Sequence, residues 1–214
     1  MLEMRGRPAI VIGGGEVALR KVRDLVDAGA LVTCVAPDMH PEIEILAREG
    51  EVENPRLFRR GYQKGDLAAS DIAFFTADDR DVLNDVLEEA RERKVLVNCA
   101  LDPESGDFFV PSWERRGDLV LALATSGASP AYAARLRREL ASNLPAGTER
   151  RITALREARQ RILELDLYPD ERSRIFTTLA SRDDLLDELA LILAEGKDLN
   201  RFLERVLHIE SGLE

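Results

Sequence analysis

Apolar residues follow two spacings along this chain. Residues 7–12, Leu31–Val35, Ile72–Thr76 and Val95–Cys99 are short, nearly unbroken apolar runs. Between them, apolar residues recur every three to four positions. Runs of this kind predict buried strands, and the periodic segments predict helices. A helix over Glu16–Ala28 places Ala18, Val22, Leu25 and Val26 on one face, with Gly29 as its C′ residue. Pro41–Arg48 predicts a short helix, Glu51–Phe58 a short strand and Gly61–Leu67 a loop. Arg80–Arg93 predicts a helix with the stripe Val82, Leu83, Val86, Leu87 and Ala90. Strands that alternate with helices in this way imply a parallel sheet with right-handed crossovers.

The pattern changes after residue 106. Asp107–Val110 and Leu119–Ala124 predict two strands with a short connection. Thr125–Pro130 is a turn, and a helix is expected over Ala131–Leu144, with Ser129 as its N-cap and Pro130 as its first residue. Pro145-Ala146-Gly147 interrupts the chain, and from Glu149 onward every stripe is helical. The stripes are Ile152, Leu155, Ile162 and Leu165; then Ile175, Phe176 and Leu179; then Leu185, Leu186, Leu189, Ile192 and Leu193; then Leu199, Phe202, Leu203, Val206 and Leu207. There is no internal repeat.

The chain has 214 residues, enough for one or two domains, and is 45% hydrophobic and 33% charged, an ordinary globular balance. Its net charge of −10 argues against non-specific nucleic-acid binding. The apolar runs fall well short of the roughly 20 residues a membrane span requires. No signal-peptide pattern precedes the first strand. Cys34 and Cys99 lie in apolar strand runs and read as buried free thiols. These features lead us to expect a cytoplasmic protein without nucleic-acid or membrane partners. The only histidines, His40 and His208, have no metal-ligand spacing, so no permanent metal centre is expected.

The chemistry concentrates in Val11-Ile12-Gly13-Gly14-Gly15-Glu16-Val17-Ala18. A strand enters a glycine turn that opens a helix, with Gly13, Gly15 and Ala18 in the small-residue slots of G-x-G-x-x-A. The first glycine permits a turn that a Cβ would obstruct. The second lets backbone approach a pyrophosphate, and the third small residue lets helix and strand pack closely. The helix start offers free N–H groups to the anion. Ligands of such sheets bind beyond the carboxyl ends of the strands. That directs attention to Gly13–Val17, Pro37–Asp38, Thr76–Asp79 and Asn98–Asp102. After Val35 the usual acidic ribose position is Ala36, and Asp38 is the first carboxylate. No arginine stands there to favour a 2′-phosphate, which points to NAD rather than NADP.

Several motifs in one order make the chain resemble the precorrin-2 dehydrogenase / sirohydrochlorin ferrochelatase family, the NAD-dependent module of siroheme synthase. Val11–Lys21 is similar to the family's VGGGEVALRK turn. Gly61-Tyr62 with Asp66-Leu67 is similar to GY…DL, Thr76–Asp79 to ATDD, and Val97-Asn98 to VN. Asp107–Ser112 resembles DFIFPA, and Thr125–Ala131 resembles STGGRSPVLA. The likeness covers roughly residues 5–145. It implies an α/β fold in three parts: a Rossmann-type parallel-sheet domain over 1–112, a small α+β dimerisation domain over 113–147, and an all-helical segment over 148–214. The implied activity is oxidation of precorrin-2 to sirohydrochlorin with NAD⁺, in some members followed by insertion of Fe²⁺, carried out by a homodimer.

The resemblance assigns Glu16 and Val17 to the cofactor, with Pro37 and Asp38 as a second cofactor segment and Thr76 at a matching strand end. Glu16 is equally a solvent carboxylate, Val17 a core valine and Asp38 a turn former. Asn98 either bonds nicotinamide or substrate, or satisfies strand-end backbone. Where the family has an aspartate, this chain has Leu101. Asp102 can supply the missing carboxylate as acid/base, or simply open an Asp-Pro turn; Asp107 is a second candidate. Ser126 and Arg135 are assigned to a substrate that carries eight carboxylates, with Arg115, Arg116, Arg137 and Arg138 nearby in sequence. The alternatives are a turn serine and a solvated helix face. Two other functions fit the same residues: a chelatase or tetrapyrrole-binding protein without redox activity, and a non-catalytic NAD sensor.

Overall fold

The computed structural model describes residues 1–49 and 54–210, the last three of these by backbone alone. The chain divides into two compact units, Met1–Val110 and Pro111–Glu214.

In the first unit, β1 (Pro8–Ile12), β2 (Leu31–Val35), β3 (Arg56–Phe58), β4 (Ile72–Phe75) and β5 (Leu96–Cys99) form one sheet in the order β3-β2-β1-β4-β5. All four pairings are parallel, with Val11 level with Cys34 on one side and Phe74 on the other. The strand order reverses at β1, which makes its carboxyl end the switch point of the sheet. Helices α1 (Glu16–Asp27), α2 (Pro41–Glu49) and α3 (Arg80–Arg93) make the crossovers. Strands covered on both faces must be apolar at successive positions, and these are. Ala9, Val11, Val32, Cys34, Ile72 and Phe74 meet Ala18, Leu19, Val22 and Leu25 of α1 and Ile43 of α2. On the other face Ile10, Ile12, Val35, Ala73, Phe75, Val97 and Cys99 meet Leu83, Val86, Leu87 and Ala90 of α3. Both cysteines are free and buried. Gly29 closes α1 at φ +75°.

The strand expected from Glu51 is observed at Arg56–Phe58; the part of that expectation on 51–53 lies outside the described residues. The crossover from β3 to β4 contains no helix. Consecutive turns carry it, pinned by fully buried Leu67 and by Glu89 of α3, which is 0% exposed. The Glu89 carboxylate accepts from the Tyr62 hydroxyl, the Gly65 N–H at 2.8 Å and the Arg93 guanidinium.

One strand expectation fails. Asp107–Val110 is not a strand. The Asp107 N–H donates to the Val97 carbonyl at 2.7 Å, and its carboxylate accepts from the Val97 N–H at 2.8 Å. The Asn98 amide donates to the Phe108 carbonyl at 2.8 Å. Side chains thus complete the edge of β5 where a ladder would otherwise form, and Phe108 and Val110 pack on the first core.

In the second unit the strand lies further on. Antiparallel β6 (Ser112–Arg116) and β7 (Leu119–Leu123) are joined through Gly117-Asp118. The polar look of Ser-Trp-Glu-Arg-Arg concealed β6. Glu114 and Arg116 face inward but are paired with each other, and Arg116 also donates to the Ala141 carbonyl at 3.0 Å. Helix α4 (Pro130–Ser142) follows, its N-cap Ser129 accepting from the Tyr132 N–H, and Asn143 closes it two residues earlier than the sequence pattern suggests. Helices α5 (Thr148–Glu164), α6 (Pro169–Ser181), α7 (Asp183–Ala194) and α8 (Leu199–Glu210) share one core. It is built on Ala158, Ile162, Ile175, Leu179, Leu189, Leu203 and Val206.

Candidate cofactor site

The glycine turn occupies the switch point, and its three glycines are there for different reasons. Gly13 has φ +120°, and a Cβ on it would strike the Thr76 hydroxyl and meet the Ala77 nitrogen at 2.9 Å. A Cβ on Gly14 would collide with the Asp38 carbonyl oxygen and reach Ala36 Cβ at 3.0 Å. A Cβ on Gly15 would meet nothing within 4 Å. The first two glycines fit the turn between the loops after β4 and β2. The third leaves an open face.

Gly15 is the N-cap of α1 in an extended conformation, with no side chain closing the helix start. The Leu19 N–H is the first in the helix to bond, to the Gly15 carbonyl at 2.9 Å. Those of Glu16, Val17 and Ala18 find no acceptor among the described residues. Three free donors beside a face cleared of any Cβ fit a pyrophosphate.

The surroundings hold this turn in place. The Gly13 N–H donates to the Val35 carbonyl at 3.0 Å, and the His40 N–H to the Gly14 carbonyl at 2.7 Å. The buried Cys34 thiol donates to the Gly13 carbonyl at 3.5 Å. Burial pushes that thiol up to about 12, so it keeps the proton it donates. His40 Nδ1 accepts from the Glu42 N–H at 3.2 Å, which assigns the remaining ring proton to Nε2. Nε2 faces the Glu16 carboxylate at 3.0 Å. The sequence pattern weighed His40 only as a metal ligand, and nothing in its spacing signalled this bridge. Among the described residues no three histidine, cysteine or carboxylate side chains converge to hold a metal ion.

Pro37 and Asp38 are exposed on the loop after β2. The Thr76 hydroxyl at the end of β4 donates to the Ile12 carbonyl at 3.0 Å, which joins it to β1. Asn98 is 8% exposed, and its Nδ2 is already committed to the Phe108 carbonyl, so that group completes strand-end backbone. Asp79 caps α3 by accepting from the Asp81 and Val82 N–H groups at 2.9 and 3.1 Å. Leu101 packs on the second core. Asp102 opens a 3₁₀ turn over Pro103–Ser105, with one carboxylate oxygen accepting from the Ser105 hydroxyl at 3.0 Å. Its N–H donates to Cys99 Sγ at 3.2 Å.

Sequence reasoning also missed two arginines. Val35 is level with Phe58, and the Ala36 N–H donates to the Phe58 carbonyl at 3.1 Å. Arg59 and Arg60 therefore emerge beside Ala36 and Pro37. No arginine follows β2 along the chain, but β3 brings two alongside it. Glu89 was missed as well. Its signal was a carboxylate spaced three residues from Val86, inside the apolar stripe of α3.

In the second unit, Ser126 and Gly127 both have positive φ, +50° and +84°, and the Ala128 N–H closes the turn on the Thr125 carbonyl at 3.0 Å. Arg135 is exposed, stacked over the Tyr132 ring at 4.8 Å and 3.6 Å from Glu139. Arg137 is committed to Ser112 and Glu114, and Arg116 to Glu114 and the Ala141 carbonyl. Arg115 and Arg138 stay exposed.

A family model described as "Putative NAD(P)-binding" matches residues 1–112. A siroheme synthase of Pseudomonas aeruginosa is 31% identical over 211 residues, covering 98% of this chain and 43% of the relative. Siroheme synthase 1 of Cronobacter sakazakii is 36% identical over 148 residues, covering 69% of this chain and 31% of the relative. The chain therefore spans less than half the length of these curated relatives. A solved structure, "SirC, precorrin-2 dehydrogenase", superposes with a TM-score of 0.73 at 27% identity, covering 96% of each chain.

Proposed function

Because the chain belongs to the NAD(P)-binding family of siroheme synthase and precorrin-2 dehydrogenase, we propose that it oxidises precorrin-2 to sirohydrochlorin with NAD⁺ in siroheme synthesis. The observation that carries this reading is the open face at Gly15 beside the three free N–H groups of Glu16, Val17 and Ala18. NAD⁺, when bound, supplies the hydride acceptor. The chain's own groups hold and orient it. Gly13 and Gly15 with the N–H groups of Glu16 and Val17 receive the pyrophosphate, and Pro37 and Asp38 receive the adenosine ribose. Thr76 stands at the nicotinamide end, and Asn98, with its Nδ2 given to the Phe108 carbonyl, offers only its Oδ1 there.

Oxidation removes a hydride and a proton from the substrate. Asp102 is the proton acceptor in this reading. The Ser105 hydroxyl fixes one of its oxygens and leaves the other for the proton. On the second unit, Ser126 and the exposed Arg135 guanidinium engage substrate carboxylates. Residues 113–147 form the dimerisation domain of a homodimer and 148–214 the helical C-terminal domain. Insertion of Fe²⁺, as a second substrate, would give siroheme. No helix among the described residues is long and apolar enough to cross a membrane. The proposed reaction is that of a cytoplasmic enzyme.

The test is incubation of purified protein with precorrin-2 and NAD⁺, following the absorbance of NADH and sirohydrochlorin. Absence of sirohydrochlorin would overturn the dehydrogenase reading. Adding Fe²⁺ to sirohydrochlorin in the same protein tests the chelatase step on its own.

A further inference from the structure

We propose that Glu44 sets the choice of NAD over NADP by occupying Arg59, the guanidinium that would otherwise read a 2′-phosphate. The proposal rests on the assignment of the glycine turn to the dinucleotide. In such a sheet the adenosine ribose lies just beyond the carboxyl end of β2. The pairing of Val35 with Phe58, continued by the bond from Ala36 to the Phe58 carbonyl, puts Arg59 and Arg60 at that level.

Neither arginine is free. Arg60 is locked to Asp66 through two parallel bonds of 2.7 and 2.8 Å, donates to the Gly61 carbonyl at 3.0 Å and lies over the Phe58 ring. Its side chain is 32% exposed and that of Asp66 only 12%. Arg59 is 55% exposed and, among the described residues, has a single partner, the Glu44 carboxylate projecting from α2. The hydrogen bond from Arg59 lowers the Glu44 carboxyl from its ordinary value, so the group stays charged at neutral pH. Arg48, one helical turn along α2, lies 3.7 Å from its other oxygen.

A 2′-phosphate carries close to two negative charges and needs an uncommitted guanidinium. Here it would face the exposed Asp38 carboxylate and two arginines whose charge is already spoken for. A ribose 2′-hydroxyl needs only an acceptor, and Asp38 offers one.

The experiment measures the Kd of NAD⁺ and NADP⁺ by titration calorimetry in wild type, Glu44→Gln and the double variant Glu44→Gln/Arg59→Gln. Glutamine keeps the shape of Glu44 and releases Arg59, while Arg60 stays locked to Asp66. The expected result is about tenfold tighter NADP⁺ binding in Glu44→Gln, the worth of one charge-assisted contact, with the Kd of NAD⁺ unchanged. The gain should vanish in the double variant. An unchanged ratio of the two constants in Glu44→Gln, or a gain that survives loss of Arg59, overturns the proposal while leaving the cofactor site intact. Wild-type protein that binds neither dinucleotide overturns the cofactor assignment, and this proposal with it. Glu44 lies on the surface of α2, and circular dichroism of each variant verifies that the fold is retained.

Discussion

Replacing Gly15 with aspartate should move stability and cofactor affinity in opposite directions. The position is an extended helix N-cap, so a non-glycine residue fits its backbone, and a Cβ there meets no protein atom within 4 Å. An aspartate can accept from the free N–H groups of Val17 or Ala18. The cap adds a few tenths of a kcal/mol over glycine. A carboxylate at the positive end of the helix adds about 0.5 kcal/mol. Loss of glycine's freedom in the unfolded chain adds about 0.5 kcal/mol more. Repulsion from Glu16 takes back a part, leaving about 1 kcal/mol, a rise of roughly 2–4 °C in melting temperature for a chain of this size. The same carboxylate stands where a pyrophosphate would lie. Two like charges about 4 Å apart in a partly screened site repel by about 4 kcal/mol, near a thousandfold in Kd. Thermal unfolding with and without NAD⁺ reads both effects at once. Wild type at 100 times Kd gains about 2.7 kcal/mol from the ligand, and the variant gains none. A variant that melts lower without ligand would refute the open-face argument. One that NAD⁺ still stabilises would remove the turn from the binding site. Gly14→Ala is the contrast: its collision with the Asp38 carbonyl should destabilise the protein by about 1–3 kcal/mol before any ligand is added.

Glu89→Ala strips one buried carboxylate from three donors and should lose about 3 kcal/mol in urea unfolding; a loss under about 1 kcal/mol would mean the β3–β4 crossover does not depend on it. Burial alone would raise the Glu89 carboxyl, but the donors Tyr62, Gly65 and Arg93 outweigh it and hold the group below its ordinary 4.5. Its stabilising contribution is therefore complete above that pH and is lost as pH falls through the lower folded value, a sag that Glu89→Ala should lack. Ser126→Gly relieves a left-handed serine and should stabilise the second unit by about 1 kcal/mol; if the hydroxyl engages substrate, KM rises in that more stable protein, and an unchanged KM removes Ser126 from the site. Cys34, pushed up to about 12 and buried, should resist iodoacetamide at pH 8 in native protein and react fully after unfolding, as read by mass spectrometry; rapid native labelling would contradict the thiol's place beneath the turn.

The sheet was readable in the sequence because strands buried on both faces need apolar residues at successive positions, and helix faces repeat every three to four. The glycine turn was readable because its constraints are local. What stayed hidden depends on pairing across the chain. Arg59 and Arg60 are remote from Ala36 in sequence and beside it only through the β2–β3 register. Strand β6 hid because Glu114 and Arg116 neutralise each other, so its inner face looked polar. Asp107–Val110 looked like a strand, yet Asp107 and Asn98 spend their side chains finishing the edge of β5. The site residues divide in the same way. Gly13 and Gly15 stand where local geometry put them, whereas Asn98 holds a bond to Phe108 that no spacing rule foretells.

Gly14, the glycine with no slot in the G-x-G-x-x-A pattern, has its own consequence. Pressed against the Asp38 carbonyl and bonded from the His40 N–H, it ties the glycine turn to the loop after β2. The ordering of both segments is settled when the chain folds, so a dinucleotide arriving there has little backbone left to freeze. Affinity at this edge of the sheet is then a matter of fit to a surface that already exists. Exchanging the loop after β2 for that of another protein would therefore disturb the glycine turn as well.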